Sequence, residues 1–363
     1  MPRRNLIPSH HTGRVWRAGL IALVIATTSI FAAVPGQATG SVGKLECTEH
    51  VLHVRIADPG PADYSLWGQL CSRRGTSPKT VQVLVPGGTY NHVYWDLPYR
   101  NGSYSYVRAA TAAGYATFNF DRIGTGKSEH PPFDTLYLAG EATALHDVIS
   151  ALRSGAVGGH KFKQVIVAGH SYGGFVVVTE AARYRDVDGV ISVGSLHGMT
   201  DVVRDGIGIV NHDANLDPKF AGLGYDGYLT TVPGVRGRLY HDPRTSNAAI
   251  VALDEQFKDL HSANLLPESF AYLFPPTPAD AISRQLTAPV LALIGGADFG
   301  FCGAGGLDCT SAETVREQEA PYWPSRGTTF AVIPATGHSL HESTTEPITA
   351  AVMLAWSYTT ARP

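Results

Sequence analysis

The sequence is poor in charge, and the charge it has is dispersed. Asp, Glu, Lys and Arg make up 16% of residues, and the formal net charge is only −3. Nucleic-acid binding needs a clustered positive surface, and no such cluster is present. The four cysteines show no paired C-x-x-C spacing, which argues against a structural zinc site. There is no repeat, no low-complexity tract, no metal-ligand cluster and no dinucleotide fingerprint, so no cofactor or metal is expected. What remains is an ordinary globular composition, 44% hydrophobic, over 363 residues. That length suits one large α/β domain or two small ones.

The N-terminus has a pattern of its own. Arg3, Arg4, Arg14 and Arg17 precede an apolar stretch from Ala18 to Val34, and small residues around Gly36-Gln37-Ala38 follow. Basic, apolar and small-residue regions in that order predict a cleaved secretory signal over residues 1–38. A membrane anchor is the competing reading. The stretch is short for one, and Thr27, Thr28 and Ser29 interrupt it. Arg3-Arg4 also allows a twin-arginine signal. The expectation is a secreted protein with no membrane span after cleavage. Cys47, Cys71, Cys302 and Cys309 all follow this segment. An even count in an exported chain predicts disulfides, and Cys47–Cys71 with Cys302–Cys309 are the simplest pairings of the three possible sets.

From residue 39 onward, short apolar runs alternate with longer mixed segments. The runs lie at 51–58, 63–72, 81–88, 115–121, 164–170, 189–195, 289–298 and 329–338. The first two read as a hairpin. Most of the others are apolar on both faces, as buried parallel strands are. Helix-compatible stretches such as 140–155 lie between them. This alternation predicts a mainly parallel eight-stranded sheet flanked by helices. The rhythm fails between residues 196 and 286, too long for a plain crossover or a structureless loop. An inserted cap is expected there, with core segments at 39–195 and 287–363. Cap aromatics such as Tyr272 and Phe274 are candidates to shape a substrate pocket. Cap histidines His212, His241 and His261 are expected at the surface.

The chemistry begins at "VAGHSYGGFVV", where a strand meets Gly169-His170-Ser171-Tyr172-Gly173 and an apolar helix-like run follows. A tight strand–turn–helix has no room for β-carbons beside it and holds the serine out over the sheet. A serine capping a glycine-rich turn would look the same locally. A nucleophile further requires a base, an acid and a site for the oxyanion. His338 follows the last strand and is preferred as base to His341; His170 should point away. Asp298 ends the preceding strand and is preferred as acid to Asp201. Gly87-Gly88 follow the third strand, so a backbone N–H of Gly88 or Thr89, with that of Tyr172, could hold the oxyanion. "DRIGTGKS", 121–128, lacks the first glycine of a phosphate loop and reads as a structural turn.

"PGGTYNHVYW", "DRIGTGKS", "GHSYGG" and the strand ends at Asp298 and His338 stand in the order of the α/β-hydrolase fold family, which the chain resembles from about residue 45 to 363. The one departure is Pro86, where many members have histidine. The resemblance implies a hydrolase with the order Ser171, Asp298, His338. The expected activity is cleavage of a small-molecule or lipid-like ester through an acyl-enzyme. Amide or peptide cleavage by the same residues is the alternative, and a non-catalytic binding protein on this fold is a third reading.

Overall fold

A computed structural model describes residues 43–363. The signal expected over 1–38 lies outside the described residues. Strands β1 (Leu45–Val54) and β2 (Tyr64–Arg73) pair antiparallel, as the hairpin reading expects. β3 (Thr80–Val85), helix α1 (Tyr106–Ala112), β4 (Ala116–Phe120), α2 (Leu138–Ser154), β5 (Gln164–His170), α3 (Tyr172–Tyr184) and β6 (Gly189–Val193) follow. After the long interval come β10 (Val290–Gly295), α8 (Ala312–Glu319), β11 (Thr328–Ile333) and α9 (Glu346–Thr360). The interval itself holds α4 (Asp201–Val210), β7 (Asn211–Asp213), β8 (Tyr228–Thr231), α5 (Val235–Leu239), α6 (Ala248–Phe257), β9 (His261–Ser262) and α7 (Leu266–Leu273).

Eight strands form one sheet in the order β1-β2-β4-β3-β5-β6-β10-β11. β2 also pairs antiparallel with β4, and every neighbour from β4 to β11 is parallel. β3, β4, β6 and β10 are buried along their whole length. Their alternating side chains feed two cores. Val81, Val83, Val165 and Val167 pack on the α2–α3 side. Leu84, Ile166, Ala168 and Leu293 pack on the α1–α9 side. Each such Val, Leu or Ile side chain contributes roughly 1.5–3 kcal/mol of transfer free energy, so both faces must be covered by helices.

Parallel strands place all their C-terminal ends on one edge of the sheet. The turns after β3, β5, β10 and β11 therefore open onto the same crevice. The interval between β6 and β10 packs at this edge. Its three short strands make a separate antiparallel sheet, β7-β8-β9.

Candidate active site

Two glycine positions dictate the turn between β5 and α3. A β-carbon at Gly169 would sit 2.1 Å from the Gly173 carbonyl oxygen, and one at Gly173 would sit 2.5 Å from that of Val85. With both absent, Ser171 turns sharply at φ 51°, ψ −122°. That left-handed conformation costs a non-glycine residue on the order of 1–3 kcal/mol, which the surrounding packing supports. Tyr172 begins α3, where an α-helix leaves its first N–H groups without intrahelical acceptors.

The structure brings three of the expected residues together. Ser171 Oγ lies 2.9 Å from His338 Nε2, and His338 Nδ1 lies 2.8 Å from Asp298 Oδ2. Asp298 is fully buried, and its other oxygen accepts the Gly300 N–H at 2.9 Å. The Cys302 N–H donates to the Asp298 carbonyl at 2.8 Å, and a Cys302–Cys309 disulfide closes the same loop. The second disulfide joins Cys47 to Cys71 across the β1–β2 register. The rival residues lie elsewhere. Asp201 pairs with Arg204 at the start of α4. His341 is enclosed by Trp95, Tyr94 and Tyr106. His170 turns under the serine, stacked on Tyr94 at 3.9 Å, with Nε2 3.0 Å from the His338 carbonyl oxygen. Burial holds its ring well below the usual histidine range.

Gly88, Thr89 and Tyr172 border the same cavity as Ser171 and His338. The loop carrying Gly88 and Thr89 is gripped from two sides. Arg122 donates to the Pro86 carbonyl at 3.0 Å and to the Gly87 carbonyl at 3.1 Å. Its remaining nitrogen pairs with buried Glu141 at 2.7 Å. From the other side Arg236 donates to the Thr89 carbonyl at 3.2 Å and to Thr89 Oγ1 at 3.0 Å. Arg236 is itself buried, paired with Asp254 and stacked over Tyr90 at 3.9 Å. The "DRIGTGKS" segment thus supplies Arg122 to the loop. Its turn N–H groups are occupied from within: Gly126 donates to Asp259 and Lys127 to Asp121. They are not displayed to a phosphate.

The cavity measures about 130 Å³ and is mostly apolar. Core residues Phe175, Phe299 and Phe301 line it together with Met199, Val203, Val210, Tyr240, Leu266, Phe270 and Leu273 from the long interval. Two expectations need correction, that of surface histidines and that of pocket aromatics. His241 and His261 are buried, not at the surface, and His212 is half-buried and paired with Asp217. His241 binds Asp254 at 2.8 Å. His261 borders the cavity, edge-on to Tyr172, and burial pushes it down to about 3. Tyr272 and Phe274 do not line the cavity. Tyr272 packs on Phe175 and His197, and Phe274 is exposed. Sequence reading missed Arg122, Arg236 and His261, because nothing local marks a residue whose partners lie far along the chain.

The comparisons with known proteins agree with this architecture. A model of the alpha/beta hydrolase family matches residues 82–351. No curated protein sequence matches the chain. Among solved structures, an esterase from Thermogutta terrifontis is 17% identical with a TM-score of 0.55, covering 86% of this chain and 100% of its own. Carboxylesterase CesB from Bacillus subtilis is 15% identical with a TM-score of 0.55, covering 85% and 90%. A bromoperoxidase from Bacillus anthracis is 17% identical with a TM-score of 0.52, covering 85% and 99%. At these identities the likeness is one of fold. The family match is broader in meaning, since it spans well over half of the sequence, and the chain belongs to the alpha/beta hydrolase family.

Proposed function

We propose that this hydrolase cleaves carboxylic esters with Ser171 as nucleophile, His338 as base and Asp298 as the acid that orients it. The observation that carries the reading is the continuous hydrogen-bonded line from Ser171 Oγ through His338 to buried Asp298. In the proposed sequence His338 Nε2 takes the Ser171 proton as Oγ attacks the ester carbonyl. Asp298 stabilises the imidazolium. The oxyanion sits against the N–H of Tyr172 and that of Gly88 or Thr89. Collapse breaks the ester C–O bond, His338 protonates the departing alcohol, and an acyl-serine remains. Water, deprotonated by His338, adds to the acyl carbon, and Ser171 leaves with its proton restored. The apolar cavity favours an acyl or alcohol group with little charge. The interval 196–286, which supplies about half of the lining, is read as the cap that selects it. Export is supported by the N-terminal pattern and the two disulfides.

The test pairs labelling with turnover. A fluorophosphonate should modify wild type at Ser171 and leave Ser171→Ala unlabelled. Wild type should hydrolyse p-nitrophenyl esters of graded chain length, and Ser171→Ala should remain folded without activity. Turnover of aminoacyl anilides in preference to esters would move the assignment to amide chemistry. Absence of labelling in folded wild type would mean a non-catalytic member of the fold.

A further inference from the structure

At the end of the sheet away from Ser171, α2 and the C-terminal turn of α3 bring together His146, Glu180 and Asp186. His146 Nδ1 lies 2.8 Å from Asp186 Oδ2 and 3.6 Å from Glu180 Oε1. One ligand atom from each of the three falls within 4.8 Å of both others. Glu180 is fully buried, and neither of its carboxylate oxygens has a hydrogen-bond partner. Asp186 Oδ1 is likewise buried and unpartnered, and His146 Nδ1 approaches both acids without hydrogen-bond geometry. Among the described residues no lysine or arginine side chain forms a salt bridge with Glu180 or Asp186; Arg153 reaches only the Asp186 carbonyl oxygen.

This arrangement is costly for a protein alone. The nearest counter-charge to buried Glu180 is the His146 imidazole at 3.6 Å, outside hydrogen-bond geometry, so the lost hydration of the carboxylate is poorly offset. A carboxylate in the last turns of a helix also faces the negative end of the helix dipole. A divalent cation resolves both features at once. We propose that His146, Glu180 and Asp186 form a zinc-binding site that ties α2 to the end of α3. Ligands about 2.0–2.1 Å from a tetrahedral zinc are separated by roughly 3.3 Å, and the two observed separations bracket that value. One imidazole with two carboxylates suits zinc better than calcium or magnesium. Tyr184 stacks on the His146 ring at 3.9 Å, with its hydroxyl held by Thr143, which limits rotation of the imidazole. His146 and Asp186 are about a quarter exposed, leaving room for water at the fourth position. No local pattern marks the site, because its ligands come from two helices and a turn rather than from one spaced motif.

The experiment uses the full mature chain, stripped with a chelator and dialysed. Zinc chloride titrated by calorimetry at pH 8 should bind at one ion per chain and raise Tm by roughly 5 °C at saturation. Glu180→Gln keeps the shape and removes the anion, so it should weaken zinc binding at least tenfold and abolish the Tm response. His146→Gln should behave alike, and ester turnover by both should stay near wild type, which separates this site from the Ser171 reading. Wild type that binds no zinc and shows no Tm change overturns the proposal, and Glu180 then simply carries a proton. Equal zinc binding by Glu180→Gln and wild type also overturns it, because the ion must then sit elsewhere.

Discussion

At the scale of single residues, charge that is buried has to be held, and the site uses this in two ways. Asp298 is enclosed and aimed at His338 Nδ1. Asp298→Asn should preserve the fold and lower kcat by about 10⁴, because the imidazole loses the partner that fixes its tautomer. Steady-state rates on p-nitrophenyl butyrate would measure this, and a loss below tenfold would remove Asp298 from the role. Arg122 is the second case. It neutralises Glu141 and holds the carbonyls of Pro86 and Gly87. Arg122→Leu leaves Glu141 buried without a counter-charge and should cost about 3–5 kcal/mol in denaturant unfolding. The double variant Arg122→Leu/Glu141→Leu should recover much of that stability. It should not recover activity if the loop carrying Gly88 and Thr89 holds the oxyanion as proposed, since that loop remains unsupported. Recovery of both would mean that Arg122 serves the core alone.

At the scale of elements, the buried strands β3 to β6, β10 and β11 were legible because each is a short apolar run with a turn after it, whereas β1 starts six residues before the expected 51–58, since its exposed polar first half carries no such signal. Predicted 81–88 and 164–170 correspond to β3 and β5, and Ser171 sits where β5 meets α3. The interval between β6 and β10 was legible only as a departure from rhythm. Its strands are two to four residues long and its helices are short, so neither period lasts long enough to read. For the same reason its inward face could not be deduced. Phe270 and Tyr272 lie two residues apart on α7, yet Phe270 borders the cavity while Tyr272 packs on Phe175 and His197. Phe270→Ala should therefore shift the ratio of kcat/KM between butyrate and octanoate esters at least fivefold, with Tm nearly unchanged. Tyr272→Ala should lower stability by about 3–5 kcal/mol, the cost of truncating a large core aromatic, with Tm falling accordingly, and should move the ratio less. Thermal melts beside the kinetics decide; the reverse pattern would place the substrate on the other side of α7.

At the scale of the whole molecule, the proposed site is assembled from turns distant in sequence, and the two disulfides bear on it unequally. Cys47–Cys71 joins β1 to β2 at one edge of the sheet, whereas β10 and β11, which lead to Asp298 and His338, form the other edge. Cys302–Cys309 closes the loop that begins at Asp298 itself. Chain entropy ranks them in the opposite order. The sequence separations are 24 and 7. The corresponding loops give about 3.5 and about 2.5 kcal/mol of stabilisation through the unfolded state. Stability and activity should thus come apart. Replacing Cys47 and Cys71 by serine should lower stability more and leave kcat within about twofold, because the site's strands are untouched. Replacing Cys302 and Cys309 should lower stability less and reduce kcat by at least tenfold, because the carboxylate is then carried on a loop free to move. Denaturant midpoints and ester turnover, both measured where each variant is fully folded, would test the contrast. If replacing Cys302 and Cys309 also left kcat within about twofold, the loop after β10 would be rigid without its bond, held by the hydrogen bonds of Gly300 and Cys302 to Asp298.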